Sequence, residues 1–254
     1  MRALLTFILQ LIYPPKCRGC GTRFDIFRTP HPLPLCPSCL SLWEKAKTAA
    51  CTDCGGEICR CSCMPELLHE AGCAALVKAV AYHPNQKKLP EQLILRCKGT
   101  RDRELFHFYA ADVQLPLWQA LERYGGEQDA VVTYIPRRRR AISEEGVDQG
   151  RKLAEAIASS LELTVVCALI NQGSTAQKTL DHAARQEAAN RAIRLRERAA
   201  DAVGGKTVIL VDDITTAGAT LAAATRLLLG VGAKQVICCV VGVTQSEGPR
   251  KGEV

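Results

Sequence analysis

Two adjacent carboxylates, Asp212 and Asp213, stand between an apolar run, Thr207–Val211, and a stretch of small and hydroxyl residues, Thr215, Thr216, Ala217, Gly218, Ala219 and Thr220. The apolar run has the length and β-branched content of a buried strand. Leu221–Leu229, rich in Ala and Leu, reads as a helix. A strand that ends in acid and turns through small residues into a helix can hold a phosphorylated sugar. The helix N-terminus offers unpaired N–H groups and partial positive charge to a phosphate. Small side chains let the backbone approach it, and threonine hydroxyls add donors. The carboxylates can accept hydrogen bonds from sugar hydroxyls or share a Mg²⁺ ion. The run VILVDD also looks like the acidic strand of a nucleotide triphosphatase. However, Ala200 stands where the first glycine of a phosphate loop belongs, and a strand follows Lys206-Thr207 where a helix is needed.

A second constellation is built from thiols. The chain has 14 cysteines, nine of them between Cys17 and Cys63. Cys17-x2-Cys20 and Cys36-x2-Cys39, separated by fifteen residues, have the spacing of a four-thiolate zinc ribbon. Cys51 and Cys54 open a second set, completed by two of Cys59, Cys61 and Cys63; Cys61 and Cys63 are preferred, and pairing interleaved with the first set stays open. Four thiolates saturate a zinc ion, so the expected role is structural. A third constellation, Arg137-Arg138-Arg139-Arg140, follows an apolar run and Pro136. Guanidinium forks suit pyrophosphate or a nucleic-acid backbone.

The 254 residues can hold one large domain and a small one. At 47% apolar and 23% charged, the chain can bury a core. Aromatics at 5% argue against a base-stacking platform, and a net charge of +7 biases the surface toward anions. Leu4–Ile12 is too short to span a bilayer and has no small-residue cleavage site after it, so neither a transmembrane segment nor a signal peptide is expected. It reads as a short packing helix. A cytoplasmic location, where thiols stay reduced and clustered pairs bind metal, follows.

The elements that must position these groups alternate. Met64–Glu70 reads as a link, Cys73–Tyr82 as a strand, Leu89–Cys97 as a helix, and Glu104–Tyr124 as a helix broken at Pro116. Ala130–Ile135 reads as a strand, Arg151–Leu161 as a helix, Leu163–Leu169 as a strand and Ala183–Arg198 as an Arg-rich helix. Gln235–Val243 is a last strand, and the residues after Thr244 read as a disordered tail. This alternation predicts an α/β fold with a mostly parallel sheet covered on both faces, its ligand beyond the carboxyl ends of the strands.

The stretch Lys206–Leu221 resembles the phosphoribosyl-pyrophosphate (PRPP) motif of type I phosphoribosyltransferases. The order of Cys pairs, Pro-plus-basic loop, Glu145-Gly146-Val147-Asp148-Gln149, the Ser174–Gln177 segment with Arg185 and Asn190, and the acidic motif resembles the ComF family of competence proteins, GntX-like members included. Lys98 is similar to a lysine ahead of that family's main domain. The resemblance implies a phosphoribosyltransferase-type α/β domain over residues 67–244, a Cys-rich module over 1–66 and a tail over 245–254. It implies that Asp212 and Asp213 hold the ribose and carry catalysis. Thr215–Thr220 would bind the 5′-phosphate, while Arg137, Arg138 and Arg185 would contact pyrophosphate. PRPP or a related ribose 5-phosphate ligand with Mg²⁺ is the expected ligand, with transfer of the phosphoribosyl group to an acceptor the sequence does not name. The alternatives are a non-catalytic competence factor that binds single-stranded DNA and DNA-uptake proteins, and a PRPP sensor.

Overall fold

Five runs of apolar and β-branched residues pair into one parallel sheet: β1 (Ala75–Tyr82), β2 (Ala130–Tyr134), β3 (Thr164–Val165), β6 (Thr207–Thr215) and β7 (Gln235–Thr244), in the order β1-β7-β6-β2-β3. Two more strands, β4 (Leu169–Asn171) and β5 (Ile193–Leu195), form a separate antiparallel pair. The helices are α1 (Pro37–Lys47), α2 (Glu66–Glu70), α3 (Leu89–Arg96), α4 (Arg103–Tyr124), α5 (Arg139–Glu145), α6 (Gln149–Leu161), α7 (Ala199–Val203) and α8 (Ala219–Gly230). This computed structural model describes residues 13–25, 34–84, 86, 88–97, 102–124, 129–173 and 192–245. The expected Leu4–Ile12 helix, His31, Lys98, Ser174–Gln177, Arg185, Asn190 and the tail beyond Gln245 lie outside those residues.

Near-continuous apolar strands mean a sheet buried on both faces. Val208, Ile209, Leu210 and Val211 of β6 are fully buried, each such side chain worth about 1.5–3 kcal/mol. One face packs on α1, α3, α4 and α6 through residues such as Val132, Ile209, Tyr109 and Ile157. The other packs on α2, α7 and α8 through Val208, Leu210, Leu68 and Leu228. Cys17, Leu35, Cys39 and Trp43 of the Cys-rich segment belong to the first of these cores. Trp43 Nε1 and Lys47 Nζ donate to the two oxygens of Asp112 on α4, at 2.5 and 2.6 Å, fixing α1 to the sheet's helical cover.

Four local expectations differ from what forms. Helix α4 runs unbroken through Pro116. Burial of Val113, Leu117, Ala120 and Leu121 around it outweighs a proline cost of about 3 kcal/mol. The single strand expected over Leu163–Leu169 is two: Thr164–Val165 pairs with β2, and the chain then leaves the sheet to form β4. At the end of the expected Ala183–Arg198 helix, Ile193–Leu195 is strand β5; its apolar-charged-apolar alternation has the period of a strand. Finally, β6 does not stop at Val211. It continues through the acid pair to Thr215.

Strands β2 and β3 step outward to one side of the sheet, and β6 and β7 to the other. The carboxyl ends of β2 and β6 therefore flank a topological switch point, the place where open α/β sheets take their ligands.

Candidate functional site

The register places the acids and the arginines side by side. Tyr134 of β2 pairs with Val211 of β6, and Ile135 N–H donates to the Val211 carbonyl at 2.9 Å. The next residues on the two strands are Pro136-Arg137-Arg138 and Asp212-Asp213. The acids are half-buried. Asp212 Oδ1 accepts the Asp213 N–H at 2.9 Å and Asp213 Oδ1 accepts the Ile214 N–H at 2.7 Å, which fixes how each carboxylate is presented. Behind them Tyr82, at the end of β1, has its phenol pushed up by burial and by the charges of Glu91 and Asp213.

The turn after β6 has the features of an anion cradle. Thr215 is buried as the last strand residue, Thr216 is exposed, and Ala217, Ala219 and Thr220 are half-buried. Gly218 caps α8 in the left-handed region at φ 80°, and no side chain caps the helix. The first-turn N–H groups of a twelve-residue helix thus lack a side-chain acceptor. A Cβ at Gly218 would lie 3.0 Å from Leu68 and 3.3 Å from Pro65, so glycine serves both the turn's conformation and its packing on α2.

On the other side, the four arginines 137–140 and Arg196 line an open cleft of about 760 Å³ between the β2 loop and the β4 strand. Asn171 Nδ2 donates to the Pro136 carbonyl at 3.1 Å and ties the loop to β4. The guanidinium of Arg137 is paired with Glu145, and Arg140 with Glu144 at 2.7 Å. Arg138 and Arg139 have no carboxylate partner among the described residues. At the start of α6 Gly150 is forced by close approach: a Cβ there would sit 2.5 Å from the Ile135 carbonyl oxygen. Asp148 caps this helix, accepting the Arg151 N–H at 3.4 Å. Burial pushes its carboxyl up, against the N–H groups of Arg151 and Arg137.

The thiols gather into two groups of four: Cys17, Cys20, Cys36 and Cys39, and Cys51, Cys54, Cys61 and Cys63, with the sulfurs of each group within 4.8 Å of one another. Cys59 belongs to neither. A tetrahedron of zinc–sulfur bonds of about 2.3 Å has sulfur–sulfur edges of about 3.8 Å. Cys20 and Cys36 stand 3.7 Å apart, so the donor set fits such an ion. The leading turns share one pattern. A bridge joins Lys16 to Arg23 around Cys17 and Cys20, and Ala50 to Glu57 around Cys51 and Cys54. A Gly N–H returns to the first cysteine carbonyl in each, at 2.8 Å (Gly21 to Cys17, Gly55 to Cys51). The Thr22 hydroxyl and N–H pull the Cys20 thiol down to about 6, while hydrogen bonding to Cys54 and burial push Cys63 up to about 12. Protons are thus unevenly shared among crowded sulfurs, and a bound cation would release them all.

Sequence reasoning missed Gly150, Asn171, Arg196 and the packing of Pro65 and Leu68 on Gly218. Only Gly150 carried a signal, as a glycine beside the Asp148 helix cap. Arg185 lies outside the described residues.

The fold and this edge define an α/β protein whose β6 ends in an acid pair followed by a small-residue turn into an uncapped helix. Residues 147–251, less than half of the chain, match the family model of the phosphoribosyl transferase domain. The sheet strands β6 and β7 and the acid pair lie inside the match. No curated protein matches the sequence. Among solved structures it is similar to an adenine phosphoribosyltransferase (20% identity, 56% of this chain and 72% of that one, TM-score 0.38). It is also similar to the adenine phosphoribosyltransferase of Trypanosoma brucei in complex with AMP, pyrophosphate and ribose-5-phosphate (14%, 60% and 73%, TM-score 0.33). The allosteric regulatory enzyme of purine biosynthesis matches at 19% identity over 54% of this chain, with a TM-score of 0.33. The chain spans only about a quarter of that enzyme's length, 26%. At such identities and scores nothing about chemistry passes from these proteins to this one. No described helix is long and apolar enough to cross a membrane.

Proposed function

We propose that this protein is a ComF-like phosphoribosyltransferase-family protein that binds PRPP, or a related ribose 5-phosphate ligand, at the carboxyl ends of β2 and β6. One observation carries the reading: a fixed acid pair and an uncapped helix N-terminus stand beside an arginine loop on the neighbouring strand. The 5′-phosphate sits on Thr215–Thr220, with the first N–H groups of α8 as donors. Asp212 and Asp213 accept hydrogen bonds from the ribose hydroxyls. Arg138, with Arg137 and Arg185, neutralises the pyrophosphate. Both the acid pair and the ligand's own phosphates suit Mg²⁺, which supplies charge neutralisation when bound. The enzyme reading is pentosyl transfer: a nucleophile bonds to the anomeric carbon as its bond to pyrophosphate oxygen breaks and the electron pair leaves with pyrophosphate. This chain's arginines stabilise the departing charge, and its acids hold the sugar as positive charge develops.

The four-cysteine groups are read as structural zinc sites in a module over residues 1–66, ahead of a main domain over 67–244 and a tail over 245–254. The thiol-rich composition supports a cytoplasmic location. Isothermal titration with Mg²⁺–PRPP tests the central claim. Micromolar binding by the wild type and its loss in Asp212→Asn/Asp213→Asn is the expected result, and absence of binding by the wild type sinks it. The arginine cleft favours one second reading, a competence factor whose basic cleft meets single-stranded DNA. That reading requires binding at low salt that weakens steeply as salt rises.

A further inference from the structure

Lys78 is the least expected residue in the sheet. It lies in the middle of β1, paired in register with Val240, and is only 3% exposed. Lysine is almost never fully buried unless paired, because removing an ammonium from water costs several kcal/mol. No carboxylate pairs with it among the described residues. Its Nζ donates to the carbonyl of Cys63. The same ammonium lies against the sulfur of Cys61. One carbonyl does not satisfy three N–H donors or balance a positive charge.

The neighbourhood supplies what is missing. Cys51 and Ile58 pack with Ala81 at the end of β1 and Val243 at the end of β7, with Cys61 and Cys63 against them. The Thr52 N–H donates to Gln245 Oε1 at 2.9 Å. The second four-cysteine group is therefore packed against the carboxyl ends of β1 and β7, with its Cys63 in reach of the Lys78 ammonium. A divalent ion held by four thiolates carries a net charge of about −2. We propose that Lys78 is the buried counter-cation of a metal centre formed by Cys51, Cys54, Cys61 and Cys63, donating N–H to thiolate sulfur and tying the centre to β1. The proposal rests on the reading that this group holds a divalent metal. Among the described residues no buried cation stands at the first group: Arg18 turns to Asp102 and Glu104, and the exposed Arg96 donates to the Arg18 carbonyl. The two centres should thus differ in their dependence on a buried cation.

Zinc content and competition with a chromophoric chelator test this on the full chain. The wild type should hold two ions. Lys78→Met, which keeps the volume and removes the charge, should weaken one site by about 10- to 100-fold, the range for losing an outer-sphere partner. The other site should be unchanged. In the cobalt-substituted protein the thiolate-to-metal band of the weakened site should move to lower energy, because the sulfur lone pairs lose a stabilising N–H. Lys78→Arg should recover part of the affinity. Should Lys78→Met not fold, amine footprinting with acetic anhydride decides the point. Lys78 should be protected in the wild type and in Cys20→Ser, and labelled in Cys54→Ser. Two ions of unchanged affinity in Lys78→Met, or protection that persists in Cys54→Ser, would overturn the proposal and leave the metal reading standing. A wild type that binds only one ion, at the first group, overturns both.

Discussion

The carboxyl ends of β6 and β2 lie next to each other and solve opposite problems. At β6 the polar groups are few and fixed: two carboxylates are each held by the following backbone N–H, and a glycine-capped helix presents its amides. At β2 the groups are many and long: consecutive arginines line an open cleft, two of them partly neutralised by Glu144 and Glu145. The difference suits the two halves of one ligand. A ribose 5-phosphate has directional hydroxyls and one phosphate, and rewards fixed acceptors and donors. A departing pyrophosphate is diffuse charge, and flexible guanidinium groups can follow it.

Substitutions at the two strand ends should therefore differ in size. The largest effect belongs to Asp212→Asn/Asp213→Asn. Losing two charge-assisted contacts of about 1.5–3 kcal/mol each should lower affinity for Mg²⁺–PRPP by about 100-fold or more in calorimetry, with an unchanged circular dichroism spectrum. Unchanged affinity would move the sugar off β6 and dissolve the contrast. Gly218→Val comes next. It forces a β-branched residue to φ 80° against Leu68 and Pro65, and should cost about tenfold in affinity together with a lower melting temperature.

Within the β2 end the contrast can be sharpened. Arg138→Ala should weaken pyrophosphate binding about tenfold, the worth of one charge-assisted contact. Arg137→Ala should weaken it only about threefold, because Glu145 already occupies that guanidinium. Equal effects would show that the Glu145 pair opens when the anion arrives. The smallest change should follow Glu145→Gln, a gain of about two- to threefold as Arg137 is released.

How much of this could be read in the sequence depended on whether the determinants were local. The acid pair, the turn after it and the leading cysteine pairs are set by neighbours in the chain, and their residue types announced them. The run through Asp212 to Thr215 was hidden because acids are poor strand formers. Pairing with β7, Asp212 with Val240 and Ile214 with Gly242, extends the strand regardless. The α/β architecture followed from alternation of elements. The order of strands that brings Pro136 beside Asp212 depends on contacts some 75 residues apart, which periodicity does not report. Pro116 misled for the same reason, since the cover it lies in is held by tertiary burial. Spacing left the choice among Cys59, Cys61 and Cys63 open, with the latter two preferred; the fold gathers those two with Cys51 and Cys54 and leaves Cys59 out.

The contact of Pro65 and Leu68 with Gly218 bears on how the molecule can be cut. Those two residues back the small-residue turn after β6, and they belong to the segment that leads out of the second cysteine group. A trimmed version begun at β1, the obvious minimal α/β unit on paper, would expose Leu221 and Leu228 on α8 and leave the turn free to collapse. Transplanting this site into another scaffold would mean carrying the cysteine-rich segment with it.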